Sequence, residues 1–233
     1  MTKNTIENKI DIICKMQNQL NNYTNGEEWR TGITNKGRLI DWGRCIRMES
    51  SEFIGSFNWK HWKDIDMANN LQNARMELVD ILHFLVSEGL VHFSNYKLAK
   101  VMYTNYKGSL ESTKEYSINE IMILMESLAF HTNDIVANFN TVWLYFFEIC
   151  KQVELKFEDL YEIYLGKNAL NVFRQNNGYK EGLYIKNWQV GENEGEDNVY
   201  LMIVIKEIKE ESSDLTLENV LYKLQNIYDS KIN

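Results

Sequence analysis

The sequence predicts an all-α fold, a helical bundle with a few irregular loops, on three observations. Proline is absent from all 233 residues, where average usage of about 5% would supply roughly a dozen, and helix interiors exclude it. Apolar residues recur at helical rather than alternating spacing along most segments. The composition, 44% hydrophobic and 25% charged, is that of a soluble globular chain able to bury a substantial core. No internal repeat and no linker-length loop interrupts it. The expectation is one domain over residues 1–233, either uniform or with a rigid core and a mobile helical part around 95–160.

The elements follow in order. The first helix covers about Thr5 to Asn22, with Ile6, Ile10, Ile13 and Leu20 as its buried stripe, and NNYTNGEEW breaks it. A loop through Gly32 and Gly37 leads to a helix of about Arg38 to Phe57. The Trp59-Lys60-His61-Trp62 segment then separates it from a second, largely buried helix of about Leu71 to Phe93. The Tyr-, Lys- and Ser-rich stretch from Asn95 to Tyr116 carries little signal. Ser117 and Glu120 form a capping box that opens INEIMILMESLAFH. A helix of about Asp134 to Gln152, apolar nearly all round, reads as a central core or dimer-contact element. The helix from Phe157 stops near Gly178, a favoured helix-ending residue. VYLMIVIKEIKE, rich in β-branched residues, is read as helix, and a last amphipathic helix covers about Leu217 to Tyr228.

The net charge of −8 and the lack of a basic stripe argue against a nucleic-acid polymer as partner. A small nucleotide carried with a divalent cation is compatible with both. Cys14, Cys45 and Cys150 are odd in number and set in apolar patterns, as reduced thiols would be. The N-terminus MTKNTIENKI lacks an apolar signal region, and no apolar run approaches the roughly 20 residues that span a bilayer. A cytoplasmic protein without a membrane partner is expected.

The chemistry concentrates between Glu49 and Asp80. Glu49 and Glu52, then Glu77 and Asp80, stand at i and i+3, so each helix aims two carboxylates at one point. An antiparallel pairing of the two helices would bring all four together, where like charges repel unless a cation binds, and oxygen-only ligands suit a hard ion such as Mg²⁺. Solvated helix faces are the plain alternative for one such pair, and the apolar surroundings of Asp80 weaken it for two. Trp62 and Lys60 lie in the intervening segment, whose aromatic rings and cation suit a base carrying phosphate, though tryptophan burial would also pin such a loop. His83 and Phe84, one turn after Asp80, could line the same groove. Without Cys or His partners at ligand spacing, His83 does not suggest zinc. Gln17 and Asn21 present two amides on one side of the first helix, a pattern that also suits solvated residues. Lys167, Asn171 and Arg174 form one polar stripe, with Lys180 and Lys186 beyond it. Such a cluster in an acidic chain suits a polyphosphate, and helix-terminal cations favoured by the dipole are the alternative.

These blocks resemble a known family. MQNQLN and TNG, CIRMESSEFIGSFNWKHWK and RMELVDILHF, and YLGKNALNVFRQNNGYKEGLYIKNW lie in order over residues 16–188 and are similar to the dimeric all-α deoxyuridine triphosphatases of the Campylobacter and trypanosomatid type, within the all-α NTP pyrophosphatase superfamily. The acidic motifs are shared across that superfamily, whereas the last block marks the deoxyuridine branch. The resemblance implies a homodimeric enzyme that uses Mg²⁺ to hydrolyse dUTP and dUDP to dUMP, releasing pyrophosphate from dUTP. It implies that Glu49, Glu52, Glu77 and Asp80 hold the metal, with Glu49 the expected activator of water. Lys167, Asn171, Arg174, Asn177 and Lys180 would hold the phosphates, with Lys186 a weaker candidate. Gln17, Asn21 and Trp62 would read uracil, and His83 and Phe84 would lie by the deoxyribose. The alternatives are a house-cleaning nucleoside triphosphate pyrophosphatase of another base preference and a non-catalytic nucleotide-binding regulator.

Overall fold

The computed structural model describes residues 3–63, 68–190, 193–211 and 213–231. Among these, nine α-helices and one two-stranded sheet account for the regular structure. The chain forms two compact units, Met1–Phe157 and Glu158–Asn233. Among the described residues, no helix is long and apolar enough to cross a membrane.

The first unit holds α1 (Lys3–Asn25), a 3-10 turn (Trp29–Thr31), α2 (Trp42–Gly55), α3 (Leu71–His92), α4 (Asn95–Glu111), α5 (Ile118–His131), a second 3-10 turn (Thr132–Asp134) and α6 (Phe139–Gln152). Helix α2 packs on α3 and α5, α1 on α3 and α4, and α6 on α4 and α5. Ile10, Ile13, Ile46, Phe53, Leu78, Leu82, Leu85, Leu98, Leu128, Trp143 and Phe146 are among the buried side chains between them. Helix α3 is buried along most of its length, which fits its almost uninterrupted apolar sequence. The capping box at Ser117 forms as expected: Ser117 N–H donates to Glu120 Oε2 at 2.9 Å and Glu120 N–H to Ser117 Oγ at 3.3 Å.

Several helix bounds differ from the expectation for local reasons. Helix α2 starts at Trp42 rather than near Arg38 because Ile33 bridges Leu39, Thr34 N–H donates to the Arg38 carbonyl and Ile40 N–H to that of Gly32. These bonds hold the chain extended until Asp41 accepts from Arg44 N–H and caps the helix. The uninformative stretch after Asn95 forms α4, capped by Ser94. Helix α6 begins at Phe139, not Asp134, after the 3-10 turn, and Leu144 on it is 40% exposed, so the helix is not buried all round.

The second unit holds α7 (Phe157–Asn176), β1 (Asn187–Val190), β2 (Asn193–Glu196), α8 (Asp197–Glu210) and α9 (Leu217–Lys231). Helix α7 is followed by Gly178 at φ +80°, a left-handed position that glycine adopts without strain. The strands pair antiparallel, with Asn187 opposite Glu196 and Trp188 opposite Gly195. This hairpin was not foreseen, whereas the helical reading of 199–210 holds. Trp188 is fully buried, 5.3 Å from the rings of Tyr200 and Tyr228 and 5.9 Å from that of Phe173, and its Nε1–H donates to the Ile185 carbonyl. This aromatic core joins α7, α8 and α9 to the hairpin.

Helices α7 and α8 approach closely at Gly166, where an added Cβ would stand 2.7 Å from Ile205 Cδ1 and 3.1 Å from Leu201 Cδ1. Gly166→Val is therefore expected to destabilise the protein by about 1 to 3 kcal/mol through overpacking. Urea unfolding of both proteins measures this, and equal midpoints would contradict the close approach.

Candidate active site

Local helix starts set the carboxylate geometry in the first unit. The Asp41 cap phases α2, and Asn70, whose Oδ1 accepts from Asn73 N–H, phases α3. On these helices, ligand oxygens of Glu49, Glu52 and Glu77 all lie within 4.8 Å of one another. Glu77 is buried, Glu49 half-buried and Glu52 exposed. Asn73 Nδ2 fixes Glu77, donating to its Oε1 at 2.9 Å and lying 2.9 Å from Ser56 Oγ. Asp80 follows one turn later, half-buried and outside the group of three. Among the described residues this is the one such group of His, Cys, Asp and Glu side chains, and it contains neither His nor Cys. Carboxylate oxygens alone suit a hard divalent cation. The local field is negative: burial first, then the charges of Glu49 and Asp41, push the Cys45 thiol pKa up.

Gln17 and Asn21 are buried, not solvated. His83 Nδ1–H donates to Gln17 Oε1 at 2.7 Å, because an amide oxygen only accepts. Gln17 Nε2 donates to Asn21 Oδ1 at 3.0 Å, and Asn21 Nδ2 donates to Ser87 Oγ at 3.0 Å. The Ser87 hydroxyl lies 2.7 Å from the His83 carbonyl and 3.4 Å from Asn21 Oδ1, so the carbonyl is its better acceptor. The structure thus bonds three of the expected residues, His83, Gln17 and Asn21, directly in series, and Ser87, which was not among them, links Asn21 back to the His83 carbonyl. The signal for Ser87 was present: it stands seven residues after Asp80 and four after His83, on the same helix face.

Phe84, half-buried, stacks on Trp42 at 6.0 Å, and Trp42 meets Trp29 edge-on at 6.1 Å. Trp29 is anchored by its Nε1–H to Asn22 Oδ1 at 2.8 Å. Trp42 also went unforeseen, although it precedes Glu49 by seven residues and so shares its helix face. Trp62 and Lys60 lie in the segment between α2 and α3. Trp62 is 63% exposed, and its ring contacts are edge-on with Trp59 and His61, while Lys60 Nζ lies over the Trp59 ring at 5.8 Å.

In the second unit the polar stripe of α7 meets the first two residues of α8. Arg174 grips Asp197 with two hydrogen bonds, Nε to Oδ2 at 2.8 Å and Nη2 to Oδ1 at 2.7 Å. Its Nη1 donates to Asn171 Oδ1 at 3.3 Å. Lys167, itself buried, donates to Asn198 Oδ1 at 3.0 Å, and Tyr184 O–H donates to Asp197 Oδ2 at 2.7 Å. Burial would raise the Asp197 pKa, but the Arg174 hydrogen bonds and charge, then Tyr184 and Lys167, outweigh it, and the carboxyl is held below its ordinary value. Burial, followed by the bond to Asp197, pushes the Tyr184 phenol up. Asn177 Nδ2 donates back to the Phe173 carbonyl at 2.9 Å, Lys180 is exposed, and Lys186 pairs with Glu196 at 3.0 Å. Asp197, Asn198 and Tyr184 carried no periodic signal that would have singled them out.

With this geometry in place, the chain can be compared with known proteins. The family model described as dUTPase matches residues 9–179. No curated protein matches the chain.

The buried polar circuit yields a stability prediction. Ser87→Ala removes the acceptor of Asn21 Nδ2 and leaves a buried donor to be satisfied, which is expected to cost about 1 to 3 kcal/mol. Thermal and urea unfolding of the variant measure it, and an unchanged stability would mean that the circuit does not hold α1 to α3.

Proposed function

The chain belongs to the dUTPase family and hydrolyses dUTP to dUMP, and from that premise we propose how its residues divide the work. Magnesium is the metal of the reaction, held by Glu49, Glu52 and Glu77 with Asp80 completing the set. The observation that carries this reading is the placement of three carboxylate ligand oxygens within 4.8 Å of one another in a dUTP-hydrolysing chain. When bound, Mg²⁺ would neutralise phosphate charge and orient the chain for in-line attack.

Glu49 takes the proton of the attacking water. It is half-buried and stands in the cluster. Attack at the α-phosphorus breaks the α–β link, so dUTP plus water gives dUMP plus pyrophosphate. dUDP presents the same link and would yield dUMP plus phosphate, which makes it the second substrate of this reading.

Uracil is read by Gln17 and Asn21, with His83 and Phe84 beside the deoxyribose and Trp62 closing on the base from its loop. The burial and mutual bonding of the two amides support this, since polar groups already fixed in place discriminate best. Lys60, in the same loop, is assigned to the substrate. Phosphate oxygens are assigned to Lys167, Asn171, Arg174, Asn177 and Lys180. A cytoplasmic homodimer completes the reading. The exposure of Ile123 and Phe130, at i and i+7 on α5, supports a covered apolar face on that helix.

Two experiments test these assignments. Glu49→Gln should lower kcat for dUTP by at least a hundredfold while changing nucleotide affinity little, because shape is kept and a base and metal charge are lost. Chelation by EDTA should abolish wild-type turnover and added Mg²⁺ restore it. Near-normal turnover in the variant, or activity in EDTA, would sink the metal and base roles. Asn21→Ala should lower kcat/KM for dUTP at least tenfold and narrow the dUTP to dCTP ratio, since each unmet polar group costs about 1 to 3 kcal/mol. Steady-state kinetics with both substrates at saturating Mg²⁺ check this, and an unchanged ratio removes Asn21 from base recognition.

A further inference from the structure

The second unit contains three side chains to which the reaction as described gives no part, Asp197, Asn198 and Tyr184. The β1–β2 hairpin ends at Glu196, and the next two residues open α8. Asp197 N–H donates to the Lys186 carbonyl at 2.9 Å, and the Lys186 side chain pairs with Glu196. The hairpin is itself pinned by Trp188 in the aromatic core. Asp197 is thus delivered from a rigid corner and not from a mobile loop, and its side chain is fully buried. As the first residue of α8, it points its carboxylate at Arg174 on the neighbouring helix instead of capping its own.

The geometry around Arg174 is one of orientation. A guanidinium is planar, and Asp197 engages its Nε and Nη2 edge with two short bonds. Asn171 engages Nη1 from the same helix. Tyr184 steadies the carboxylate from another side, and Asn198 holds Lys167 one residue further along α8. Adjacent residues of α8 therefore fix two of the three cations assigned to phosphate, Lys167 and Arg174.

We propose that Asp197 is a positioning residue for phosphate recognition, setting the plane of Arg174 so that its Nη1–Nη2 edge meets a substrate phosphate in a fixed orientation. This rests on the assignment of Arg174 to phosphate given above. Asp197 touches no substrate atom in this reading. It acts through Arg174, and the prepaid ordering of a long side chain is what it contributes to affinity. A carboxylate that simply competed with phosphate for Arg174 would have the opposite effect when removed.

The test uses the full chain with Mg²⁺, comparing wild type with Asp197→Asn, Arg174→Ala and the double variant. Asp197→Asn should raise the KM for dUTP about tenfold, leave kcat within about threefold, and weaken inhibition by inorganic pyrophosphate about tenfold while inhibition by deoxyuridine stays unchanged. The double variant should be no worse than Arg174→Ala, since the two act as one unit. Tyr184→Phe, which keeps every charge, should shift KM and pyrophosphate inhibition in the same direction by about two- to fivefold and stands in if Asp197→Asn folds poorly. A KM at or below that of wild type in both Asp197→Asn and Tyr184→Phe, with Arg174→Ala impaired, overturns the positioning role and leaves the phosphate assignment standing. Equal weakening of pyrophosphate and deoxyuridine would reduce Asp197 to a structural role and likewise overturn it. Wild-type behaviour in Arg174→Ala overturns the phosphate assignment itself.

Discussion

Three carboxylate groups held within 4.8 Å of one another set the terms for the rest of the first unit. Like charges at such spacing repel. Helices α2 and α3 must resist being pushed apart, and the apolar packing of Ile46, Phe53, Leu78, Val79 and Leu82 supplies that resistance. A cation bound there would relieve the repulsion.

The second unit solves the inverse problem. Lys167 and Arg174 are cations removed from water along an apolar helix, and buried charge is costly unless it is paired. The pairing comes from α8, whose first two residues are a carboxylate and an amide. The two units therefore handle charge differently: the first concentrates one sign, while the second matches opposite signs. The close passage at Gly166 and the Trp188 core make that matching sterically possible.

Much of the helical framework was legible in the sequence because helix periodicity is a local property. Glu49 and Glu52 announce a shared face by their spacing alone, and the capping box at Ser117 fixes a helix start within four residues. What could not be read depends on chain distant in sequence. Asp197 meets Arg174 across 23 residues and a hairpin, and that hairpin buries Trp188 alone on β1, so it offers no alternation to detect. Trp42 and Ser87 lay on legible faces, but nothing local distinguishes a residue turned toward a site from one turned toward a core. Burial removes the solvated reading of Gln17 and Asn21, and burial is a tertiary property.

The circuit through His83, Gln17, Asn21 and Ser87 also has a sense of rotation. Every donor points the same way around it, from the His83 ring through two amides and a hydroxyl back to the His83 carbonyl. Bonds so aligned polarise one another, and neither amide can be turned over singly: a turned Gln17 would face the His83 ring donor to donor, and a turned Asn21 would face Gln17 Nε2 donor to donor. The four groups are therefore locked as one polarised loop and not as four adjustable contacts. A change at any one of the four is therefore felt by the other three, and the tautomer of one buried ring sets the direction of bonds that tie α1 to α3.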